Sequence, residues 1–462
     1  MNQIHKSNRF TFGIGTIGRD MVYSLISMYL TFYLTDVIEV STNVLWWITG
    51  ITLLCRVFDA FNDPIMGLIV DNTHTRFGKF KPWITLGAVL SGIFTVLLFT
   101  DFHAKGSSFV LLYTILYLSW GISFTINDIS YWSMLPSLSL SQSEREKIGS
   151  IARICANIGL FFVVAGIVPI TKAWGTSLDS LPKAYFYFSL LVVAIMLAGQ
   201  LITLFGVRES HQIKDKKQHT SLKELIFVII RNDQLSITAI AMALFMIGYV
   251  TTTSFGIYFF KYAYGNEDMY AIFALILGVS QIAALSIFPL LGKRYERKTL
   301  YTFSIILVLI GYLLFFFSSN HNMILIGIAG VLIFVGQAFV QIMMLMFLAD
   351  SVDYGHWKLG KRNDSISFSL QPFINKIGGA VANGIVTVIV IVSGIKNASS
   401  AEEVTSEGQL MMKIAMLLFP LLCILCSYIL YRSKYKIDRK LHNQILQDLT
   451  LRGELNAVES DH

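Results

Sequence analysis

Long apolar runs alternate with short polar segments along most of the chain. The runs at 84–100, 184–205, 300–317 and 412–430 contain almost no charged residue. Each has close to the ~20 residues that a helix needs to cross the hydrocarbon layer of a bilayer. A soluble domain has no core that would bury so many such runs, so the pattern predicts an all-α integral membrane protein.

Hydropathy and turn signals together predict twelve transmembrane helices in two six-helix halves. The predicted spans are 11–36, 43–70, 82–101, 108–135, 148–171, 185–207, 233–260, 269–291, 299–318, 323–349, 366–393 and 409–431. A longer polar segment separates the sixth span from the seventh. The predicted domain organisation has four parts, namely an N-terminal six-helix bundle at 1–207, a cytoplasmic central loop at 208–232, a C-terminal six-helix bundle at 233–431 and a cytoplasmic tail at 432–462.

The positions of lysine and arginine predict how these spans are oriented. The predicted outer loops hold few of them, which are Lys105, Lys172, Lys183, Lys261 and Lys396. Every predicted inner segment is basic, and basic loops of membrane proteins lie on the cytoplasmic side. We therefore expect a multi-pass protein of the cell inner (plasma) membrane with both termini in the cytoplasm.

Composition agrees with a membrane protein and argues against two other classes of protein. Of the 462 residues 54% are hydrophobic and 14% are charged, whereas soluble domains carry roughly 25% charged residues. The net charge of +7 comes from basic residues in the predicted cytoplasmic segments, where they follow from membrane topology. Nucleic acid is therefore not an expected partner. A membrane enzyme would need a catalytic set, and the longest loop offers only His211 and His219. With no phosphate-binding glycine loop or metal-ligand cluster in the sequence, we expect neither a cofactor nor enzymatic activity.

Two short basic turns occupy matching places in the two halves. One is GLIVDNTHTRFGKFK at 67–81, between the second and third predicted spans, and the other is GKRYERK at 292–298, between the eighth and ninth. This weak internal repeat suits a major facilitator fold, in which the substrate binds between the two halves near the middle of the membrane.

Ionisable residues inside the predicted spans mark the candidate site, because a charge within a bilayer is costly and usually functional. On the second span Arg56, Asp59 and Asp63 follow the spacing i, i+3, i+7, which places them on one helical face. Two dehydrated carboxylates one turn apart repel unless one is protonated, paired with a cationic group or bound to a cation. Asp59, Asn62, Asp63 and Thr125 therefore predict a metal-ion site for Na⁺ or Li⁺, and the same pair of acids would serve for a proton.

A second set of residues has the chemistry of sugar recognition. Carboxylates accept hydrogen bonds from paired hydroxyls, a guanidinium donates to others, and an aromatic ring covers the apolar face of a pyranose. Asp20, Asp128, Trp132 and Arg153 supply these groups on the first, fourth and fifth predicted spans.

Structural explanations compete with both sites. Trp132 alone would equally suit an anchor at the membrane interface. Arg56, Arg153 and Lys376 would balance the acids if the charges formed an internal ion-pair network. Neutral residues would pack a bundle at lower cost, which makes a purely structural network the weaker explanation of the whole set.

Several segments resemble the glycoside–pentoside–hexuronide:cation symporters of the major facilitator superfamily. They are RVFDAFNDPIMGLIVDNTHTRFGKFKPW at 56–83, GRDMVYSLISMYLTFYLTD at 18–36, NDISYWSMLPSL at 127–138 and ADSVDYGHWKLGKR at 349–362. Within that family the chain looks most like the melibiose permeases. The resemblance implies a major facilitator fold and secondary active import of a glycoside, pentoside or hexuronide by symport with Na⁺, Li⁺ or H⁺ through alternating access.

The same resemblance implies roles for individual residues. The implied cation ligands are Asp59, Asn62, Asp63 and Thr125. The implied sugar ligands are Asp20, Asp128, Trp132 and Arg153, with Arg19 where melibiose permeases carry a lysine. Lys376 would lie near the cation site. Two departures, Ser130 in place of a proline and Gln341 in place of a tryptophan on the tenth span, leave the identity of the sugar open.

Charged residues at the inner ends of the spans predict a cytoplasmic latch. Topology alone accounts for Arg76, Lys79 and Lys81, but it accounts poorly for the acids beside such residues. The predicted coupling and gating residues are Lys376, Arg56, Asp71, Asp350, Asp353 and Arg362.

An alternative function is a cation-coupled lysophospholipid-type lipid carrier, because a related branch of these transporters keeps a sodium-site aspartate. A lateral opening toward lipid would favour that alternative. The sugar-type residues Asp20, Asp128 and Trp132 favour the glycoside, so the expected partners are a small-molecule glycoside, a monovalent cation and the lipid bilayer.

Overall fold

The structure is a computed structural model that describes residues 2–208, 227, 229–266, 269–395, 398 and 401–454. The described residues form helices and no strand, which confirms the all-α prediction. The long helices are α1 (Asn2–Ser24), α2 (Thr42–Asp71), α3 (Lys81–Leu98), α4 (Gly106–Ser133), α5 (Gln142–Leu178), α6 (Leu181–Gly206), α7 (Asp233–Phe259), α8 (Met269–Arg294), α9 (Arg297–Phe317), α10 (Met323–Leu359), α11 (Asp364–Val392), α12 (Ser406–Lys434) and α13 (Arg439–Leu451).

Eleven of the described helices, α2 to α12, are long and apolar enough to cross a membrane. The helix α1 carries Arg19 and Asp20 in its α-helical part, and its path continues as far as Val37. Each of the twelve predicted spans falls on one of α1 to α12. Eleven candidate spans support the multi-spanning prediction, while the count of twelve stays a prediction.

Four π-helical turns occur among the described residues. Two follow α1 at Leu25–Tyr29 and Tyr33–Val37, one follows α7 at Phe260–Tyr264, and one lies within α12 at Ile414–Leu418. A π turn accommodates one additional residue in the helix and is frequent at functional sites. Hydrophobic periodicity does not separate such a turn from an α-helix, so the sequence analysis missed all four.

The described helices form two compact units. The first contains α1 to α6 together with residues 363–369 at the start of α11. The second contains α7 to α10, the remainder of α11, α12 and α13. Most of the predicted central loop at 208–232 lies outside the described residues, and the predicted four-part domain organisation stays a prediction.

Close helix packing fixes α1 within the first unit. A Cβ atom added at Gly18 would lie 2.2 Å from the Met196 Cα atom on α6, so only glycine fits there. The side-chain amide of Gln200 on α6 donates to the Gly15 carbonyl at 2.8 Å and accepts from Asn127 on α4 at 3.2 Å. These contacts fix the position of α1 along α6, and with it the position of Arg19 and Asp20, which follow Gly18 directly.

In the second unit, α13 is an amphipathic helix within the segment predicted as a cytoplasmic tail. Its Ile445 and Leu449 side chains are fully buried. Trp357 at the end of α10 donates to the Asp448 carboxylate at 2.9 Å, and Arg452 donates to the Trp357 carbonyl at 2.8 Å. The sequence analysis did not predict this helix.

Candidate functional site

Polar residues of α2 and α4 form a stripe along the contact between these two helices. Thr52 and the Tyr113 hydroxyl are hydrogen-bonded at 3.0 Å. One turn further along both helices, Arg56 interacts with the Tyr117 hydroxyl. The stripe leads directly to the predicted cation ligands.

The two aspartates of the predicted cation site continue this stripe. Asp59 lies against Gly121, where an added Cβ atom would be 3.0 Å from Oδ1 and 3.3 Å from Oδ2. One turn further, Thr125 donates to Asp63 Oδ1 at 3.2 Å, and Asp63 is buried. Asn62 is half-buried on the same turn of α2. The structure therefore brings Asp59, Asp63 and Thr125 to one helix contact, together with Gly121, which the sequence analysis missed.

The predicted cation ligands can offer oxygen atoms of the hard kind that cations without d-electron preferences favour. They comprise two carboxylates, one amide and one hydroxyl. No group of three or more His, Cys, Asp or Glu side chains that would hold a metal ion occurs in the described part of the chain. The predicted site therefore consists of two acids with neutral oxygens beside them.

The predicted sugar acids are both paired with Arg19. This guanidinium donates to Asp128 Oδ1 at 2.7 Å and to Asp20 Oδ2 at 2.8 Å, and the side chain is 3% exposed. Asp20 and Asp128 themselves are partly exposed, at 25% and 21% of their side chains. The two acids thus keep accessible oxygens. The buried Arg19 guanidinium pairs with both of them and so connects α1 to α4.

Trp132 lies close to two guanidinium groups. The Cζ atom of Arg19 is 5.1 Å from the centre of the Trp132 ring, and that of Arg153 is 4.7 Å from it. Both distances are within the range of a cation–π interaction. The ring is buried within the first unit. All five predicted sugar residues lie in this unit, where Arg19 pairs with Asp20 and Asp128, and Trp132 contacts Arg19 and Arg153.

A row of stacked aromatic rings borders both predicted sites, and the sequence analysis did not single it out. Tyr23 of α1 stacks on Phe124 with ring centres 5.4 Å apart, and Phe124 stacks on Trp120 at 5.4 Å. Trp120 is followed by Tyr117 at 5.9 Å. Aromatic residues at helical spacing are common in any core, so the pattern alone gave no signal.

The predicted inner latch of the first unit is a buried charge cluster. Lys79 donates to Asp71 at 3.3 Å and to Asp364 at 2.8 Å. Asp71 also accepts from the backbone N–H groups of Ser365 and Ile366, at 3.1 and 2.9 Å. A carboxylate at these free N–H groups stabilises the first turn of α11. Asp71 and Lys79 therefore hold residues 363–369 within this unit.

The predicted acids of the second unit form a separate buried cluster. Asp353 accepts from Arg362 at 2.7 Å and is hydrogen-bonded to His442 of α13 at 3.0 Å. Asp350 pairs with Arg297 at the start of α9. The structure thus joins Asp350, Asp353 and Arg362 into one network, and it adds Arg297 and His442, neither of which was predicted to take part.

The two remaining predicted gating residues lie on different units. Arg56 is exposed on α2 in the first unit, and Lys376 is half-buried on α11 in the second. A gating role for either residue stays a prediction.

Comparison with known proteins decides the family. A family model described as "MFS/sugar transport protein" matches residues 11–439, which is nearly the whole chain. The chain belongs to this family. Membership confirms the resemblance to the glycoside–pentoside–hexuronide symporters, and it confirms that the protein is a sugar transporter and not an enzyme.

Several curated relatives are similar over almost the full chain. The raffinose carrier protein of Pediococcus pentosaceus is 30% identical over 455 residues, covering 96% of this chain and 71% of that protein. The lactose permease of Leuconostoc lactis is 30% identical, covering 95% and 71%. The isoprimeverose transporter of Lactiplantibacillus pentosus is 26% identical, covering 100% and 95%.

Solved structures of other sugar transporters share the fold. The Escherichia coli fucose:proton symporter FucP matches with a TM-score of 0.67 and 14% identity, covering 94% of this chain and 98% of that one. The proton:xylose symporter XylE matches with a TM-score of 0.62 and 14% identity, covering 95% and 97%. At such low identity the likeness shows the fold alone, and it confirms the major facilitator prediction.

Proposed function

We propose that this transporter imports a glycoside by symport with a monovalent cation, which is Na⁺, Li⁺ or H⁺. Asp59 and Asp63, with Asn62 and Thr125, bind the cation. Asp20, Asp128, Trp132 and Arg153 bind the sugar together with Arg19. The names of the relatives support a glycoside, because raffinose, lactose and isoprimeverose are all oligosaccharides.

One observation carries this proposal, which is the placement of both sites on the same part of α4. Gly121 and Thr125 contact the acids of α2, and Asp128 pairs with Arg19 of α1 less than one turn after Thr125. A cation that fixes α2 against α4 therefore acts on the helix that carries the sugar ligands.

Coupling follows from the electrostatics of this arrangement. A bound cation reduces the repulsion between Asp59 and Asp63, which stabilises the contact of α2 with α4. The fixed α4 then presents Asp128 and Trp132 to the sugar. Such coupling is reciprocal, and it is typically worth about 1–3 kcal/mol.

The proposed setting is the plasma membrane with both termini in the cytoplasm. The supporting observation is the distribution of basic residues, which the positive-inside rule assigns to the cytoplasmic side. Alternating access would then move bundles 1–207 and 233–431 around a sugar held near the middle of the membrane. Lys376, Arg56 and the two inner charge clusters are the proposed gating residues.

Uptake into cells that lack their own permeases tests the proposal. Labelled raffinose, lactose, a xyloside and a glucuronide would be offered with sodium present or absent at fixed pH. Saturable uptake of one class that sodium stimulates supports a metal-ion site at Asp59 and Asp63. Uptake that follows only a proton gradient makes the same pair a proton site. Absence of glycoside uptake from a correctly inserted protein would contradict the proposal and leave the lipid carrier.

Two variants separate the two proposed sites. Asp59→Cys is expected to abolish cation-stimulated uptake and to leave measurable sugar binding. Asp128→Ala is expected to lose sugar binding itself, because it removes a sugar ligand and the partner of Arg19. Unchanged stimulation in the first variant, or retained sugar affinity in the second, would show that the assigned residue is structural.

A further inference from the structure

Tyr23 occupies a position next to both proposed sites that neither of them uses. It lies one turn after Asp20 on α1, and its ring stacks on Phe124 of α4 with centres 5.4 Å apart. Phe124 precedes Thr125 directly and lies one turn before Asp128. The stacked pair therefore joins α1 to α4 at the level of Thr125, about one turn from Asp20 on α1 and from Asp128 on α4.

The hydroxyl of Tyr23 is within electrostatic range of charged residues from both sites. Within the first unit it interacts electrostatically with Arg56 and Asp59 of α2, with Asp128 of α4 and with Asp20 of its own helix. The residue is 50% exposed, which leaves room beside its ring for a bound sugar. A phenol group has a single O–H donor, and here three carboxylates act electrostatically on the group that carries it.

We propose that Tyr23 is a coupling residue whose hydroxyl is shared between the cation site and the sugar site. With no cation bound, the negative charge of Asp59 and Asp63 attracts the hydroxyl toward α2. A bound cation removes much of that attraction, and the hydroxyl becomes available to Asp20, Asp128 or a sugar hydroxyl. Occupancy of the cation site thereby changes the hydrogen bonding available at the sugar site, and no helix has to move far.

This inference rests on the proposed symport, and it makes a narrower claim. Thr125 and Asp128 couple the sites through the backbone of α4, whereas Tyr23 couples them through one hydrogen-bond donor. Removing only the hydroxyl separates these two routes, because the stack of Tyr23 on Phe124 does not depend on it.

The test uses the purified full-length protein and the variant Tyr23→Phe, which keeps the aromatic ring. Binding of lactose or raffinose, whichever is transported, would be measured with and without sodium, and sodium binding with and without that sugar. Coupling in the natural protein should fall within the roughly 5- to 150-fold range usual for such linkage. In Tyr23→Phe the factor should be clearly smaller than in the natural protein, with the remainder carried by α4, while the affinity for sugar without sodium changes little.

Tyr29→Phe is the matched control. Tyr29 lies further along the same helical path and donates to the Val164 carbonyl at 3.3 Å, away from the charged residues. It should keep the coupling of the natural protein, and both variants should unfold at the natural temperature.

The outcomes distinguish this inference from the function on which it rests. Natural coupling in Tyr23→Phe would overturn it, and so would a loss of sugar affinity that is equal with and without sodium, because that is the behaviour of an ordinary sugar ligand. If the natural protein itself shows no dependence of sugar binding on sodium, lithium or protons, the proposed symport fails and this inference fails with it.

Discussion

If Asp59 binds the cation as proposed, its contact with Gly121 makes the cation affinity depend on the absence of a single methyl group at position 121. A Cβ atom at position 121 would lie 3.0 Å from Asp59 Oδ1, 3.3 Å from Oδ2 and 3.5 Å from Cγ. An ordinary contact needs 3.4 Å or more. In Gly121→Ala the carboxylate must therefore move by a few tenths of an ångström, or the two helices must separate.

The cost of that movement should appear mainly when the cation is bound. The empty Asp59 side chain can rotate away from the methyl group, whereas a bound cation holds the carboxylate beside Asp63. Overpacking costs about 1–3 kcal/mol. If the whole cost falls on the bound state, cation affinity should decrease by roughly 5- to 150-fold, since 1.4 kcal/mol is a factor of ten.

Titration of the cation against glycoside binding measures this effect in the purified protein. Gly121→Ala should need more sodium for half-maximal stimulation, and its sugar affinity without sodium should remain near the natural value. Gly50→Ala is the matched control, because Gly50 lies on α2, the helix of Asp59, and an added Cβ atom there meets nothing within 4 Å. Natural sodium affinity in Gly121→Ala would refute the assignment of Asp59 to the cation site. An equal loss of sugar affinity in the absence of sodium would show that the helix contact as a whole has been disrupted.

Three further variants test other parts of the structure. Lys79→Gln removes the ammonium group that lies between the buried acids Asp71 and Asp364, and should destabilise the protein by about 3–5 kcal/mol. The loss should appear as a lower thermal unfolding temperature, which Lys79→Arg should partly restore. Trp132→Leu removes the ring beside two guanidinium groups and should weaken glycoside binding by about tenfold, or ~1.4 kcal/mol. Cation binding measured in the absence of sugar should not change. His442→Ala removes the buried hydrogen bond that attaches α13, and should lower the unfolding temperature and expose the end of α10 to proteolysis.

The spans were predictable because each depends on a local property of the sequence. An apolar run of sufficient length defines a helix in a bilayer wherever its neighbours lie. The placement of Asp59 and Asp63 on one face of α2 was predictable for the same reason, since it follows from helical spacing alone, while their binding of a cation stays a prediction. Thr125 came from the resemblance and from its oxygen, and its contact with Asp63 is a feature of the structure.

What the sequence analysis missed depends on contacts between distant segments. Gly121 carries no chemistry of its own, and its importance arises only where α2 passes it. Only the competing structural explanation named cationic partners for the acids, and these were Arg56, Arg153 and Lys376. In the structure Arg19 pairs with both Asp20 and Asp128. His442 lies in a polar tail, and nothing in the local pattern indicated that α13 buries it against Asp353.

The hydrogen bonds behind the site explain why changes at α2 should reach the sugar ligands. Asn127, the residue before Asp128, donates to the Ile84 carbonyl of α3 at 2.9 Å and to Gln200 of α6. Gln200 in turn donates to the Gly15 carbonyl of α1, one turn before Arg19. Buried amide groups that are paired in this way are costly to separate. These bonds tie α1, α3, α4 and α6 together immediately behind Arg19 and Asp128, so α4 cannot adjust to α2 without moving the sugar ligands as well.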